Sequence, residues 1–126
     1  MSSSDNRIEL GSVGEHHVVC YLEKEGFTVL AKNYRVSGGE IDVVALKNQL
    51  LVFVEVKTRK NPLFDLTQVI TAQKQRKIIY AAHHYITTHR HTNGYSFRFD
   101  VALVEHTNKP SITYIPDAFN DENKDW

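Results

Sequence analysis

The run Leu50-Leu51-Val52-Phe53-Val54-Glu55-Val56 is apolar at every position but one. A run of this kind reads as a central strand buried on both faces. A carboxylate in it costs several kcal/mol if it is ionised and unpartnered, so something must compensate Glu55. Lys57, two residues on, shares its face. A three-residue loop over Lys47-Asn48-Gln49 joins Glu40–Leu46 to Leu50–Lys57 as a hairpin, in which paired residue numbers sum to about 96 or 97. Asp42 then opposes Glu55, and Glu40 lies near Lys57. Directly opposed side chains have Cβ atoms roughly 5 Å apart, where like charges destabilise. Two acids held together beside a lysine suit a hard divalent cation, which prefers carboxylate oxygens and keeps several waters. The chemistry would be phosphoryl transfer: Asp42 and Glu55 would hold Mg²⁺, with Mn²⁺ substituting. Lys57 would activate a water or stabilise charge building on phosphorus.

Two helical segments add charge to the same region. At 100° per residue Glu15 falls between Val18 and Val19 and nearly in line with Leu22, inside an apolar stripe, so it should face the sheet. In a second segment the stripe is Ile70, Ile78, Ala81 and Tyr85, with Lys74 at its centre and Arg76 opposite. Lys74 should also face inward, although a lysine can snorkel to solvent.

The elements that must position these groups follow from period and punctuation. Residues 12–25 have helical spacing, ended by Gly26. Phe27–Tyr34 reads as a strand, Ser37-Gly38-Gly39 as a break, and the central hairpin follows. Residues 58–66 contain Pro62 and no clear period, which predicts a loop; Thr67 to about His89 predicts a second helix. Ser96–Val104 alternates like a strand, and Ser111–Ile115 reads as a short edge strand before Pro116. The order is helix, three strands, helix, then one or two strands, a mixed sheet with helices packed on it. Residues 1–116 form one domain, and 117–126, with four acids and one lysine, an acidic tail.

Composition bounds the function. At 126 residues with 41% apolar and 24% charged residues, the chain has material for one core. Fifteen basic and fifteen acidic residues leave no global field for a polyanion, so any nucleic-acid site is local. Residues 57–77 supply one, with six Lys or Arg against the single acid Asp65. Arg59, Lys60, Lys74 and Lys77 are its candidate phosphate contacts. A lone cysteine, Cys20, excludes an internal disulfide framework and points to a reducing, cytoplasmic setting. The start has neither a basic segment nor an apolar one, and no apolar run approaches the ~20 residues of a membrane span.

At Gly39-Glu40-Ile41-Asp42, followed by Phe53-Val54-Glu55-Val56-Lys57-Thr58-Arg59, the sequence resembles the PD-(D/E)xK nuclease superfamily. More narrowly, it is similar to the YraN-like family of uncharacterised bacterial predicted endonucleases, distantly related to archaeal Holliday junction resolvases. Gly11–Leu22 matches that family's opening helix with its glutamate, Lys74-Gln75 the start of the second helix, and Arg98-Phe99-Asp100-Val101 the later strand. The resemblance implies an α/β fold with a restriction-endonuclease-like α-β-β-β-α-β core. In it Asp42, Glu55 and the Val56 backbone carbonyl hold the metal, Lys57 assists catalysis and Glu15 contributes from the first helix. It also implies a DNA substrate, branched or otherwise structured, and a possible homodimer, since paired cuts need two copies. Two positions depart from the pattern: Ile41 replaces the proline of the superfamily name, and Asp65 replaces a frequent glycine, adding negative charge to the loop where DNA would pass.

Blander readings stand beside each of these. Asp42, Glu55 and Lys57 could form a buried ion-pair network retained for specificity of fold, although two acids to one central lysine favour an added cation. Glu15 could pair with a basic neighbour, Lys74 could be a solvent contact, and the basic run could be a solvated face. His16-His17 and His83-His84 point about 100° apart on a helix and have no cysteine partners, which makes them surface residues rather than zinc ligands; His83, His84 and His89 suit a helix C-terminus. Asp100 is left outside the catalytic set as a partner of Arg98 or of a helix end. Cys20 lies off the stripe without a base. The alternative function is a nucleic-acid-binding or adaptor protein that keeps the nuclease fold without turnover.

Overall fold

A computed structural model describes residues 3–59, 70–105, 109 and 111–121. In chain order these form α1 (Ser3–Lys24), β1 (Thr28–Val36), β2 (Gly39–Lys47), β3 (Leu50–Arg59), α2 (Ala72–Thr88), β4 (Ser96–Glu105) and β5 (Ser111–Phe119), with a short 3₁₀ turn at Arg90–Thr92. The five strands make one sheet in the order β1-β2-β3-β4-β5. Every neighbouring pair is antiparallel except β3 and β4, which run parallel with α2 in the crossover between them. This is the mixed α/β arrangement expected, an α-β-β-β-α-β core with one further strand. No helix among the described residues is long and apolar enough to cross a membrane.

β3 lies inside the sheet and is covered on both faces. Leu51 and Phe53 pack with Ile78, Ile79, Ala82 and Tyr85 of α2, while Val52 and Val54 pack with Val18 and Leu22 of α1. The unbroken apolar run is therefore the product of two covered faces. The alternation places Glu55 and Lys57 on the α2 side.

Several element boundaries differ from expectation, each for a local reason. α1 begins at Ser3 rather than near residue 12, because Ser3-Ser4-Asp5 has the composition that favours a helix N-terminus. Its other end is as expected: Gly26 takes φ +93°, its N–H donates to the Glu23 carbonyl, and the Phe27 N–H donates to the Leu22 carbonyl. The central hairpin turns on two residues, not three, since Lys47 already pairs with Leu50 and Asn48 supplies the left-handed backbone at φ +56°. Its paired numbers sum to 97, one of the two registers expected. α2 starts at Ala72; Ile70 and Thr71 precede it, and Thr71, extended at φ −69° and ψ 161°, caps it by accepting the Lys74 N–H. Residues 60–69, which include Lys60, Asp65 and the first three residues of the expected second helix, lie outside the described residues. β5 runs past Pro116 to Phe119, because Asp117 at φ +53° donates its N–H to Asp100 Oδ1 across a register shift and carries the strand through the proline. Of the expected acidic tail, residues 122–126 lie outside the description.

α2 can reach β2 only because residue 39 has no side chain. A Cβ there would collide with the Lys77 carbonyl oxygen and press on Ala81. Replacing Gly39 by Ala should therefore destabilise the fold by about 1–3 kcal/mol or more, with the helix pushed off the sheet. Urea unfolding of Gly39→Ala against the parent chain checks this.

Candidate active site

β2 breaks its own regularity at Asp42. Ile41 and Val43 are two residues apart and should share a face, yet Ile41 packs on the α2 side and Val43 on the α1 side. The ladder to β3 stops at Val43 and Val54. On the other flank, Lys32 pairs with Val43 and Tyr34 with Ile41, leaving Asn33 opposite Asp42 in a left-handed conformation at φ +52°. The backbone kinks here, and the Asp42 side chain enters the space between β2 and β3. Its Oδ2 accepts the Val56 N–H at 2.8 Å, the place a backbone acceptor would take in a continued ladder. Because N–H and C=O of one strand residue point to the same side, the Val56 carbonyl faces this space too.

Glu55 is next to it and buried, with 6% exposure. The two acids interact directly: burial pushes the Asp42 carboxyl up to about 7, the Glu55 charge and a shared hydrogen bond push the same way, and the Val56 N–H opposes them. Lys74 reaches in from α2 and places Nζ 3.1 Å from Glu55 Oε1. The sequence-expected inward lysine is thus an ion-pair partner of one of the acids. Lys57 follows on the same face of β3, half-buried, and no described carboxylate holds it in an ion pair. Glu40 does not join Lys57; the hairpin has opened there, and Glu40 pairs across β1 with Arg35 at 3.3 Å. Glu40, Glu55, Thr71, Lys74 and Lys77 line a cleft of about 240 Å³. Of the other expected phosphate contacts, Arg59 ends β3, and Lys60 lies outside the described residues.

Glu15 approaches from the opposite helix. Asn33 Nδ2 donates to Glu15 Oε2 at 3.1 Å. Burial raises the Glu15 carboxyl above its ordinary range, the Asn33 hydrogen bond opposes this, and Asp42 adds a further upward push. Glu15 therefore feels Asp42 across the sheet, as the helical spacing predicts. The neighbouring Gly14 sets this approach: a Cβ there would collide with Thr58 Oγ1, itself buried without a hydrogen-bond partner. Asn33, Gly14 and Thr58 were not singled out by sequence reasoning. A glycine inside a helix is the usable signal for close approach at position 14; the left-handed asparagine in a strand has none beyond residue type.

The remaining polar groups resolve into structural roles. Asp100 is fully buried and satisfied by Arg98 Nε at 2.8 Å, Arg98 Nη2 at 2.9 Å, the Asp117 N–H at 2.9 Å and the Tyr114 hydroxyl. That matches the Arg98 pairing expected and keeps Asp100 out of the candidate set. His89 ends α2, with its ring stacked on Tyr85 and Nδ1 2.8 Å from the Tyr85 carbonyl oxygen. Cys20 is half-buried, its Sγ 3.7 Å from His16 Nε2.

No group of three His, Cys, Asp or Glu side chains among the described residues is placed to hold a metal. The donor set that could is smaller: the Asp42 and Glu55 carboxylates with the Val56 carbonyl, leaving Glu15 tied to Asn33. Two carboxylates and a carbonyl match the hard-oxygen preference of Mg²⁺, which commonly takes one or two carboxylates and completes its shell with water and phosphate. The residues present fit such an ion.

A sequence profile of the uncharacterised protein family UPF0102 matches residues 14–104, from the close-approach glycine to the last residue but one of β4. A UPF0102 protein of Alkaliphilus metalliredigens is 41% identical over 111 residues, covering 87% of this chain and 96% of the relative. One from Dictyoglomus turgidum is 37% identical over 118 residues, 90% of this chain and 99% of that one. One from Geobacter metallireducens is 41% identical over 112 residues, 87% and 91% of the two chains.

Two outcomes follow from the geometry. In the folded chain Asp42 holds its proton up to about 7 against 3.8 ordinarily, so the folded state binds more protons than the unfolded one between those values. Without divalent cations, stability should fall as pH rises from about 4 through about 7 and then level off. Asp42→Asn keeps an acceptor for Val56 and should remove this loss, raising stability at pH 8 by a few kcal/mol at most in EDTA; thermal melts across pH check both. Secondly, Gly14→Ala should destabilise the α1–β3 contact, and Thr58→Ala, which deletes the colliding hydroxyl, should restore it in the double variant. A double-mutant cycle of denaturation midpoints measures that coupling.

Proposed function

This chain belongs to the uncharacterised protein family UPF0102, and we propose that it is a metal-dependent phosphodiesterase acting on DNA, with branched or otherwise structured DNA as its substrate. The observation that carries the reading is the opposition of Asp42 and Glu55 at the point where β2 and β3 separate, with Lys57 on the next inward position of β3. Asp42, Glu55 and the Val56 carbonyl would hold Mg²⁺ or Mn²⁺, which would supply Lewis-acid polarisation of a phosphoryl oxygen and an acidified water.

The protein's own groups account for the rest. Lys57, two residues beyond Glu55 on the same face, would lower the pKa of the attacking water or balance charge developing on phosphorus. Lys74, 3.1 Å from Glu55 Oε1, would hold that carboxylate in position. Lys77 flanks the cleft, a position suited to a neighbouring phosphate. Glu15 acts on Asp42 through charge.

One observation favours a second reading. Lys74 already neutralises Glu55, so the acids could form a closed ion-pair network in a DNA-binding protein that keeps the fold without turnover. Calorimetric titration with Mn²⁺ or Mg²⁺ separates the two. A cation site on the acids gives binding that Asp42→Ala/Glu55→Ala abolishes, together with Mg²⁺-dependent cleavage of branched or flapped DNA that Asp42→Ala and Lys57→Ala each reduce at least ~100-fold. Cleavage unchanged in folded Asp42→Ala or Lys57→Ala would falsify the catalytic assignment. Salt-sensitive DNA binding that survives loss of the acids, with no cutting in any divalent metal, establishes the non-catalytic reading instead.

A further inference from the structure

α2 is unlike the chain as a whole in its charge. The protein is neutral overall, yet the 17 residues Ala72–Thr88 contain Lys74, Arg76 and Lys77 and no Asp or Glu. Arg76, Lys77, Tyr80, His83 and His84 are exposed along its outer side. At 3.6 residues per turn, Arg76 and Lys77 stand one turn before Tyr80, and His83 and His84 one turn after it. Tyr80 is 47% exposed, the most open of the large apolar side chains described. Its ring lies beside Gly38 of the β1–β2 turn, where an added Cβ would fall 3.5 Å from ring Cε1. Lys77 borders the cleft that contains Glu55, and Tyr80 lies only about 4.5 Å further along the helix axis.

We propose that this outer face of α2 is the seat for an unpaired stretch of the DNA strand entering the cleft, with Arg76 and Lys77 on its phosphates and one base stacked on Tyr80. The inference rests on the DNA-directed reading above and deepens it, because it makes single-stranded character a feature of the substrate. An exposed ring beside cations is the arrangement that grips single strands: the ring offers a π-face to any base, and the cations follow the backbone. In a duplex that base face is already stacked on its neighbours. The one described acid lining the surface beside Tyr80, Asp121, is engaged by His83 at 3.2 Å. A second copy of the chain is a poorer occupant, since a two-fold contact through this face would bury Arg76 and Lys77 from both copies while the helix supplies no Asp or Glu to pair with them.

The test is fluorescence anisotropy in EDTA and low salt, with a labelled oligothymidylate and a blunt duplex of equal length. Tyr80→Ala should weaken single-strand binding roughly tenfold, within the range of one base stacked on an aromatic side chain. Tyr80→Phe should bind like the parent, and duplex affinity should not change. Equal single-strand binding by parent and Tyr80→Ala, or none by the parent, overturns the inference. So does a change in sedimenting mass on Tyr80→Ala, which would make the face a contact between copies. Tyr80-dependent binding by a protein that neither takes up Mn²⁺ nor cuts DNA supports the inference and overturns only the catalytic reading.

Discussion

A single hydrogen bond in an interrupted ladder governs the rest of the molecule. The Asp42 side chain stands in for a backbone acceptor and receives the Val56 N–H of β3. To do so it must enter the space between two strands, and that requires β2 to kink so that Ile41 and Val43 face opposite layers. β1 accommodates the kink with Asn33 in a left-handed conformation. The interruption leaves one carboxylate and one peptide carbonyl facing a gap inside an otherwise closed sheet, and it brings a second carboxylate beside them.

The two helices then bias this gap from opposite layers. α2 brings Lys74 to Glu55, and α1 brings Glu15 towards Asp42 with Asn33 as its hydrogen-bond partner. Both approaches depend on missing side chains: Gly39 lets α2 down onto β2, and Gly14 lets α1 down onto Thr58. The result is asymmetric. Glu55 has a cation, whereas burial raises the proton affinity of Asp42 and the Val56 N–H is set against three repelling carboxylates, Glu55, Glu40 and Glu15. A network designed to neutralise itself would give its more strained acid a cation as well. The contrasting case lies in β4, where Asp100 is equally buried but surrounded by Arg98, Tyr114 and a peptide N–H. Among the described residues, then, Asp100 is fully compensated and Asp42 is in no ion pair with a cation.

Much of this was legible in the sequence because burial on two faces leaves so little freedom to a central strand. One carboxylate in Leu50–Val56 announced itself as an exception, and strand pairing by number located Asp42 opposite it. Helical spacing alone turned Glu15 and Lys74 inward. What escaped was backbone irregularity. The shortened turn at Asn48, the left-handed Asn33 and the bulge that carries β5 past Pro116 each depend on a single residue tolerating φ > 0, and most Asn and Asp residues keep φ < 0, so residue type does not decide. The expected meeting of Glu40 with Lys57 failed for the same reason: pairing by number assumes an unbroken ladder, and this one ends at Val43 and Val54. Arg35, across β1, took Glu40 instead.

The kink also explains why so small a protein can present charged groups without losing its core. Apolar packing is complete up to the ends of the ladder, with Val43, Val54 and Phe53 fully buried immediately beside the gap. The polar groups are confined to the one stretch where the strands no longer bond to each other. Confinement keeps Asp42 and Glu55 on rigid strands rather than on loops, which fixes their separation far better than a loop could. It also means that the energetic cost of holding two acids together falls on a short segment already excluded from the ladder. A cation entering there would relieve the repulsion without rearranging the sheet, since the carboxylates, the Val56 carbonyl and both helices are already in position. That preorganisation, set against an unfavourable Asp42, is what would separate a cation site of the proposed kind from a buried salt bridge that has merely been tolerated.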